Sequence, residues 1–111
     1  MLPQMQARRV ASMSQTMKRP IAHEESGHRG AFYAEQDGKR LAQMTYSRAN
    51  SSLVIIDHTE VDPSLRGEGV GRQLLDSAVE WARATNTKIR TTCPFAGAQF
   101  EKDQSLRDVL A

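Results

Sequence analysis

The sequence predicts an α+β domain: an antiparallel meander leading into one βαβ unit, with a glycine-rich loop between strand and helix. Three observations predict it. Apolar residues alternate with a period of two through residues 30–61, punctuated by turn signals. The period changes to 3.6 after the segment Ser64 to Gly71. A second short apolar run centred on Ile89 follows the helix. At 111 residues the chain is long enough for one hydrophobic core and not two.

From Ile21 onward the pattern is regular, and each element has a local cause. Gly30 to Glu35 is a strand carrying Phe32 and Tyr33, followed by Gln36-Asp37-Gly38-Lys39. Asp-Gly between two strand-like runs marks a tight hairpin, because a type I′ turn needs positive φ at both central residues. The return strand, Arg40 to Ser47, sets Leu41, Gln43 and Thr45 on one face and Ala42, Met44 and Tyr46 on the other. Asn50-Ser51-Ser52 is a second turn. Leu53 to Ile56 reads as a strand buried on both faces that continues to Val61, and Asp62-Pro63 ends it because proline has no N–H to give the ladder.

Val70, Leu74, Leu75, Ala78, Val79 and Ala82 fall on one helical stripe, with Arg72, Asp76, Glu80 and Arg83 opposite. Trp81 is a packing residue of this helix, and Asn86 is its stop. Lys88 to Thr92 forms the next strand, closed by Cys93-Pro94. Strand, helix, strand makes a βαβ unit, so the strands at 53–61 and 88–92 run parallel with a right-handed crossover. Phe95 to Lys102 is a short helix packing Phe95 and Phe100, and Leu106 to Leu110 is a terminal helical turn.

Composition excludes several classes of function. A single cysteine permits no intrachain disulfide and no CxxC metal or redox pair, so no metal is expected. No apolar run has the roughly 18 residues of a membrane span, and no secretory core is visible, so a cytoplasmic protein without membrane partners is expected. The net charge is +2, but it is unevenly spread. Of 15 basic and 13 acidic side chains, Arg8, Arg9, Lys18, Arg19, Arg29, Glu24 and Glu25 lie in residues 1–30, which leaves ten basic against eleven acidic. A slightly acidic body without interleaved aromatic and basic residues argues against a nucleic-acid partner. Residues 1–20 hold four of the five methionines and no aromatic residue. They read as a disordered leader, or as a basic amphipathic helix, ahead of a domain spanning residues 21–111.

The most informative run is Arg66-Gly67-Glu68-Gly69-Val70-Gly71, between strand and helix. Glycines let backbone N–H groups face outward, and a helix N-terminus adds partial positive charge, so a phosphate or pyrophosphate is the natural guest. A P-loop needs Gly-Lys-Ser/Thr, whereas Gly71 is followed by Arg72 and Gln73. A dinucleotide fingerprint needs its third glycine where Arg72 stands. The spacing fits Arg/Gln-x-x-Gly-x-Gly/Ala, with Arg66, Gly69 and Gly71 in the fixed positions.

That loop, flanked by Val61-Asp62-Pro63 and Leu74-Leu75, resembles the acetyl-CoA pyrophosphate loop of the GNAT acetyltransferase superfamily. The run Ile56 to Val61 and the segment Thr92-Cys93-Pro94-Phe95 resemble its compact subgroup, in which a cysteine follows the strand after the glycine-loop helix. The resemblance implies a mixed GNAT-like sheet, acetyl-CoA as cosubstrate and an amine, small-molecule or protein, as acceptor. It implies that Val61, Arg66, Gly67, Glu68, Gly69, Val70, Gly71 and Arg72 hold the cosubstrate. A CoA-binding module without efficient catalysis is the alternative, since little chain remains to shape an acceptor pocket.

Transfer to an amine needs a base. Asp57, His58 and Glu60 close the strand before the loop; His58 has the side chain suited to a base near neutrality, and the end of this strand is where the family commonly holds a glutamate. By strict alternation His58 and Glu60 share a face with Ile56, unless a bulge breaks the parity. Cys93 closes the neighbouring strand and is expected in the same crevice as His58, either as a thiolate carrying the acetyl group or as a small buried hydrophobe. The family's tyrosine acid has no counterpart, because Tyr33 and Tyr46 both precede the loop.

Overall fold

The computed structural model describes residues 19–111. Of the expected leader, only Arg19 and Pro20 lie among them, so its disorder or helicity falls outside the described residues. The elements are β1 (Ala22–Ser26), β2 (Arg29–Gln36), β3 (Lys39–Asn50), β4 (Leu53–Val61), a 3-10 turn (Pro63–Leu65), α1 (Val70–Thr85), β5 (Lys88–Thr91), α2 (Pro94–Lys102) and a second 3-10 turn (Gln104–Val109). One sheet runs in the order β1-β2-β3-β4-β5. The first four strands are antiparallel neighbours, and β4 pairs with β5 in parallel. This is the expected meander and βαβ unit.

Local chemistry explains the turns. Asp37 and Gly38 both have positive φ, 53° and 77°, as a type I′ hairpin requires. Asn86 ends α1 in the left-handed region, and its N–H donates to Ala82 O and Arg83 O. Strand β1 was not expected. All five of its residues are exposed, so no alternation announces it, and β2 is its only strand partner at the sheet edge.

Both helices pack on one face of the sheet. Met44, Tyr46, Val54, Ile56 and Ile89 from the strands join Leu74, Leu75, Val79, Phe100 and Leu106 in one core. Among the described residues no element covers the other face. That corrects the expectation for Leu53 to Ile56: Val54 and Ile56 are buried, whereas Leu53 and Ile55, on the uncovered side, are only half-buried.

At the edge near β1 the core ends in an aromatic cluster. His23 stacks on Phe32 with ring centres 4.1 Å apart, and Trp81 meets His23 edge-on at 5.0 Å. The buried Tyr46 hydroxyl donates to Glu25 Oε1 at 2.7 Å and lies 2.7 Å from His23 Nε2. Because that hydroxyl proton points to Glu25, His23 is the donor in the second contact. Arg48 clamps the same carboxylate through Nε and Nη2, at 2.6 and 3.0 Å. Hydrogen bonds from Arg48 and Tyr46 hold Glu25 down to about 2 from the ordinary 4.5. Burial and the Glu25 contact push the Tyr46 phenol up, and burial holds His23 below the usual imidazole range.

A carboxylate depressed in the folded state stabilises above its unfolded pKa, and that contribution fades as pH falls toward the folded value. Acid titration should therefore destabilise the wild type more than Glu25→Gln between about 4.5 and about 2. Asp103, held down to about 2 by Ser105 and Arg72, titrates in both proteins and cancels in the comparison. Urea melts at several pH values check this; equal slopes for the two proteins would contradict it.

Candidate functional site

Strand β4 is longer than its parallel neighbour, and the site grows from that mismatch. Pairing with β5 stops at Ile56↔Thr91, and Thr92 N–H donates to Ile56 O at 2.9 Å. Beyond it Cys93-Pro94 turns the chain into α2 while β4 runs on to Val61. The opening between the end of β4, the glycine loop and α2 is a cavity of about 440 Å³. Thr59, Val61, Arg66, Gly69, Phe95 and Gln99 are among its walls.

The loop takes its shape from its glycines. Gly67 and Gly69 have φ of 84° and 72°, a region that side-chain-bearing residues avoid, and an added Cβ at either would meet nothing within 4 Å. Gly69 is the N-cap of α1 and offers no side-chain acceptor. The first backbone amides of a helix have no partner within it, so those of Val70, Gly71 and Arg72 face the open space uncapped. This is a cradle for an anion. Gly71 is different: a Cβ there would come within 2.9 Å of the Phe95 ring, so its bareness lets α2 close on α1.

The remaining residues expected in the loop divide by role. The Arg66 side chain is exposed and makes no ion pair among the described residues. Val70 is buried, so only its backbone faces the loop. Glu68 pairs with Arg19 at 3.0 Å, which offsets a negative charge unfavourable to an anion. Arg72 is engaged elsewhere, by Asp76 at 2.8 Å, by Asp103, and by Gln99 at 3.2 Å. Its side chain ties α1 to α2, which leaves its amide for a ligand.

The expected catalytic residues are not all brought together. Tyr46 pairs with Ile56 and Thr45 with His58, so Asp57 is an extra residue, a β-bulge. Partial burial raises the Asp57 carboxyl, but hydrogen bonds from Thr45 and Arg29 outweigh that and leave it below the ordinary value. The bulge inverts parity. His58 and Glu60 turn to the uncovered face, exposed and 3.3 Å apart, instead of sharing the face of Ile56. Cys93 lies on the helix-covered side, 4% exposed, so the expectation that it shares a crevice with His58 is overturned. The residue beside it is Thr59, whose Oγ1 is 3.3 Å from Cys93 Sγ. Sequence reasoning missed Thr59 because nothing local announces the bulge. Phe95 and Gln99 were missed as cavity walls because the approach of α2 to α1 is a tertiary property.

Among the described residues no group of His, Cys, Asp and Glu is placed to hold a metal ion, and no helix is long and apolar enough to cross a membrane.

An uncapped glycine loop at a helix N-terminus, beside the point where β4 and β5 part, has the geometry of an anion-binding site. The sequence model of the GCN5-related N-acetyl-transferase family matches residues 31–109, and the chain belongs to that family. It is similar to a GCN5-like protein of Staphylococcus aureus solved by NMR, at 36% identity over 81% of this chain and 87% of that one, with a TM-score of 0.63. The ribosomal-protein-S18-alanine N-acetyltransferase of Escherichia coli shares 19% identity and a TM-score of 0.57 over 70% of this chain and 53% of its own. An acetyltransferase of Bacillus anthracis, crystallised with acetyl coenzyme A, shares 20% and 0.52 over 70% of this chain and 47% of its own. The last two resemblances are of fold alone, and this chain spans about half their length. Among curated proteins none matches the sequence.

Proposed function

We propose that the crevice binds acetyl-CoA, with its pyrophosphate on the Arg66–Arg72 loop, and that the protein transfers the acetyl group to an amine. The observation that carries this reading is the open cradle over Gly67 and Gly69 at the uncapped start of α1, continuous with a cavity of about 440 Å³. Arg66 adds an exposed positive charge at its mouth, and Val61 lines the path along β4. Arg19 contributes to this site, since its guanidinium holds Glu68 beside the loop.

The amine nitrogen attacks the thioester carbonyl, the C–S bond breaks, and the nitrogen sheds a proton. His58 Nε2, held by Glu60, accepts that proton if the acceptor enters from the uncovered face, where the edge of β4 beyond Ile56 has no strand beside it. A second reading routes the acetyl group through Cys93; its place at the end of β5 favours this. Under it, acetyl-CoA alone adds one hydroxylamine-sensitive acetyl mass to Cys93.

CoA should raise the melting temperature where NAD and ATP do not. Thiol release from acetyl-CoA with a panel of amines should then identify turnover. A CoA shift without thiol release would reduce the protein to a binding module, and a shift with NAD or ATP but not CoA would overturn the reading.

A further inference from the structure

Breaking the thioester leaves an electron pair on the CoA sulfur, and a proton must return to it. Among the described residues that line the cavity, Thr59 carries the only hydroxyl, and there is no tyrosine or histidine. Thr59 is also out of place by composition. The buried-side residues of β4 are otherwise Val54, Ile56 and Val61, and the bulge at Asp57 brings a polar residue into that row.

A hydroxyl alone is a weak acid, but Thr59 has a thiol behind it. Its Oγ1 is 3.3 Å from Cys93 Sγ, while Cys93 is 4% exposed and is not on the cavity wall. The thiol is fixed in place: Cys93 N–H donates to Thr91 Oγ1 at 2.9 Å, and Thr92 N–H anchors the preceding residue to Ile56. Thr59 thus links the Cys93 thiol to the cavity.

We propose that Thr59 protonates the departing CoA sulfur and that Cys93 refills Thr59. The inference rests on the acetyl-transfer reading above. The C–S pair stays on the CoA sulfur, which takes the Thr59 proton. Thr59 Oγ1 takes the proton of Cys93 Sγ, and Cys93 is left as thiolate. The proton shed by the amine passes to solvent, and after CoA leaves, water in the opened cavity returns a proton to Cys93 by way of Thr59, so the cycle closes without another reactant. Cys93 acts here as a proton store and forms no bond to carbon.

The test uses the full chain with Thr59→Val, which keeps shape and removes the hydroxyl, and Thr59→Ser, which restores it. Calorimetric titration at mildly alkaline pH compares CoA with desulfo-CoA, which lacks the thiol. Wild type and Thr59→Ser should bind CoA about tenfold more tightly than desulfo-CoA, the worth of one hydrogen bond to a charged sulfur. Thr59→Val should bind both alike, with its desulfo-CoA affinity unchanged. Thiol release from acetyl-CoA should fall about 100-fold in kcat for Thr59→Val. Cys93→Ala should also be slower, and the double variant should be no slower than Thr59→Val, as serial steps require. The proposal is overturned if Thr59→Val keeps the CoA preference, if Thr59→Ser behaves like Thr59→Val, or if an acetyl adduct forms on Cys93. If wild type binds neither CoA nor desulfo-CoA, the acetyl-transfer reading falls with it, an outcome distinct from a failure confined to Thr59.

Discussion

Gly30→Ala is expected to destabilise the protein by about 3 kcal/mol, near the upper end of overpacking costs, and to lower Tm on the order of 15 °C. Gly30 has an ordinary backbone; its constraint is space. A Cβ built there would sit 2.2 Å from the Tyr46 ring and 2.4 Å from its hydroxyl. The ring cannot swing away, because Tyr46 is fully buried and its hydroxyl is held by Glu25 and His23. Urea denaturation measures the loss. Tyr46→Leu alone is also destabilising, but the double variant should lose less than the sum of the two singles, since each change removes the partner of the other's clash. A Gly30→Ala protein within about 0.5 kcal/mol of wild type, the range of neutral surface changes, would show that the strands can part around the new methyl group.

The second large effect belongs to the loop. At one hundred times its dissociation constant, CoA should stabilise the wild-type fold by about 2.7 kcal/mol. Gly69→Val should abolish that increment, because the new side chain fills the open space over the first amides of α1. The substitution also forces a branched residue into the left-handed region, at about 1–2 kcal/mol, so the quantity to read is the difference with and without CoA. Gly27→Val is the control. Gly27 shares the positive φ, 63° against 72°, and the open surroundings, but it sits in the β1–β2 turn away from the loop. It should lose baseline stability and keep the CoA increment. If Gly69→Val keeps the increment too, the anion does not sit on this loop.

How much of this was legible in the sequence depended on the range of the cause. The Asp37-Gly38 hairpin, the Asn86 stop and the α1 stripe are local matters of backbone conformation and period, and the structure agrees at each. Strand β1 was not legible because an edge strand exposed throughout has no buried face to pattern it. The glycine loop was legible as a loop, but not the division among its glycines. That Gly71 serves Phe95, while Gly69 leaves open space, depends on a helix folding back from 24 positions further along the chain. The pairing of Thr59 with Cys93 was hidden for another reason. One extra residue at position 57 reverses the direction of every side chain after it, and Asp57 looks like any other residue of that strand.

The bulge makes β4 a strand with two readings in one stretch of chain. As built, Thr59 and Val61 face the cavity, and His58 and Glu60 face the uncovered surface. Were Asp57 drawn into the regular ladder, the two sets would exchange, presenting an imidazole and a carboxylate to the enclosed side and a hydroxyl and an isopropyl group to water. Neither a substitution nor a change of length is needed for that exchange, only the loss of the bulge. Deleting Asp57 itself would instead keep both faces as they are, because Ile56 and His58 already oppose the consecutive residues Tyr46 and Thr45. The Arg29 and Thr45 contacts that grip the Asp57 carboxylate are in this sense a lock on the reading frame of the strand.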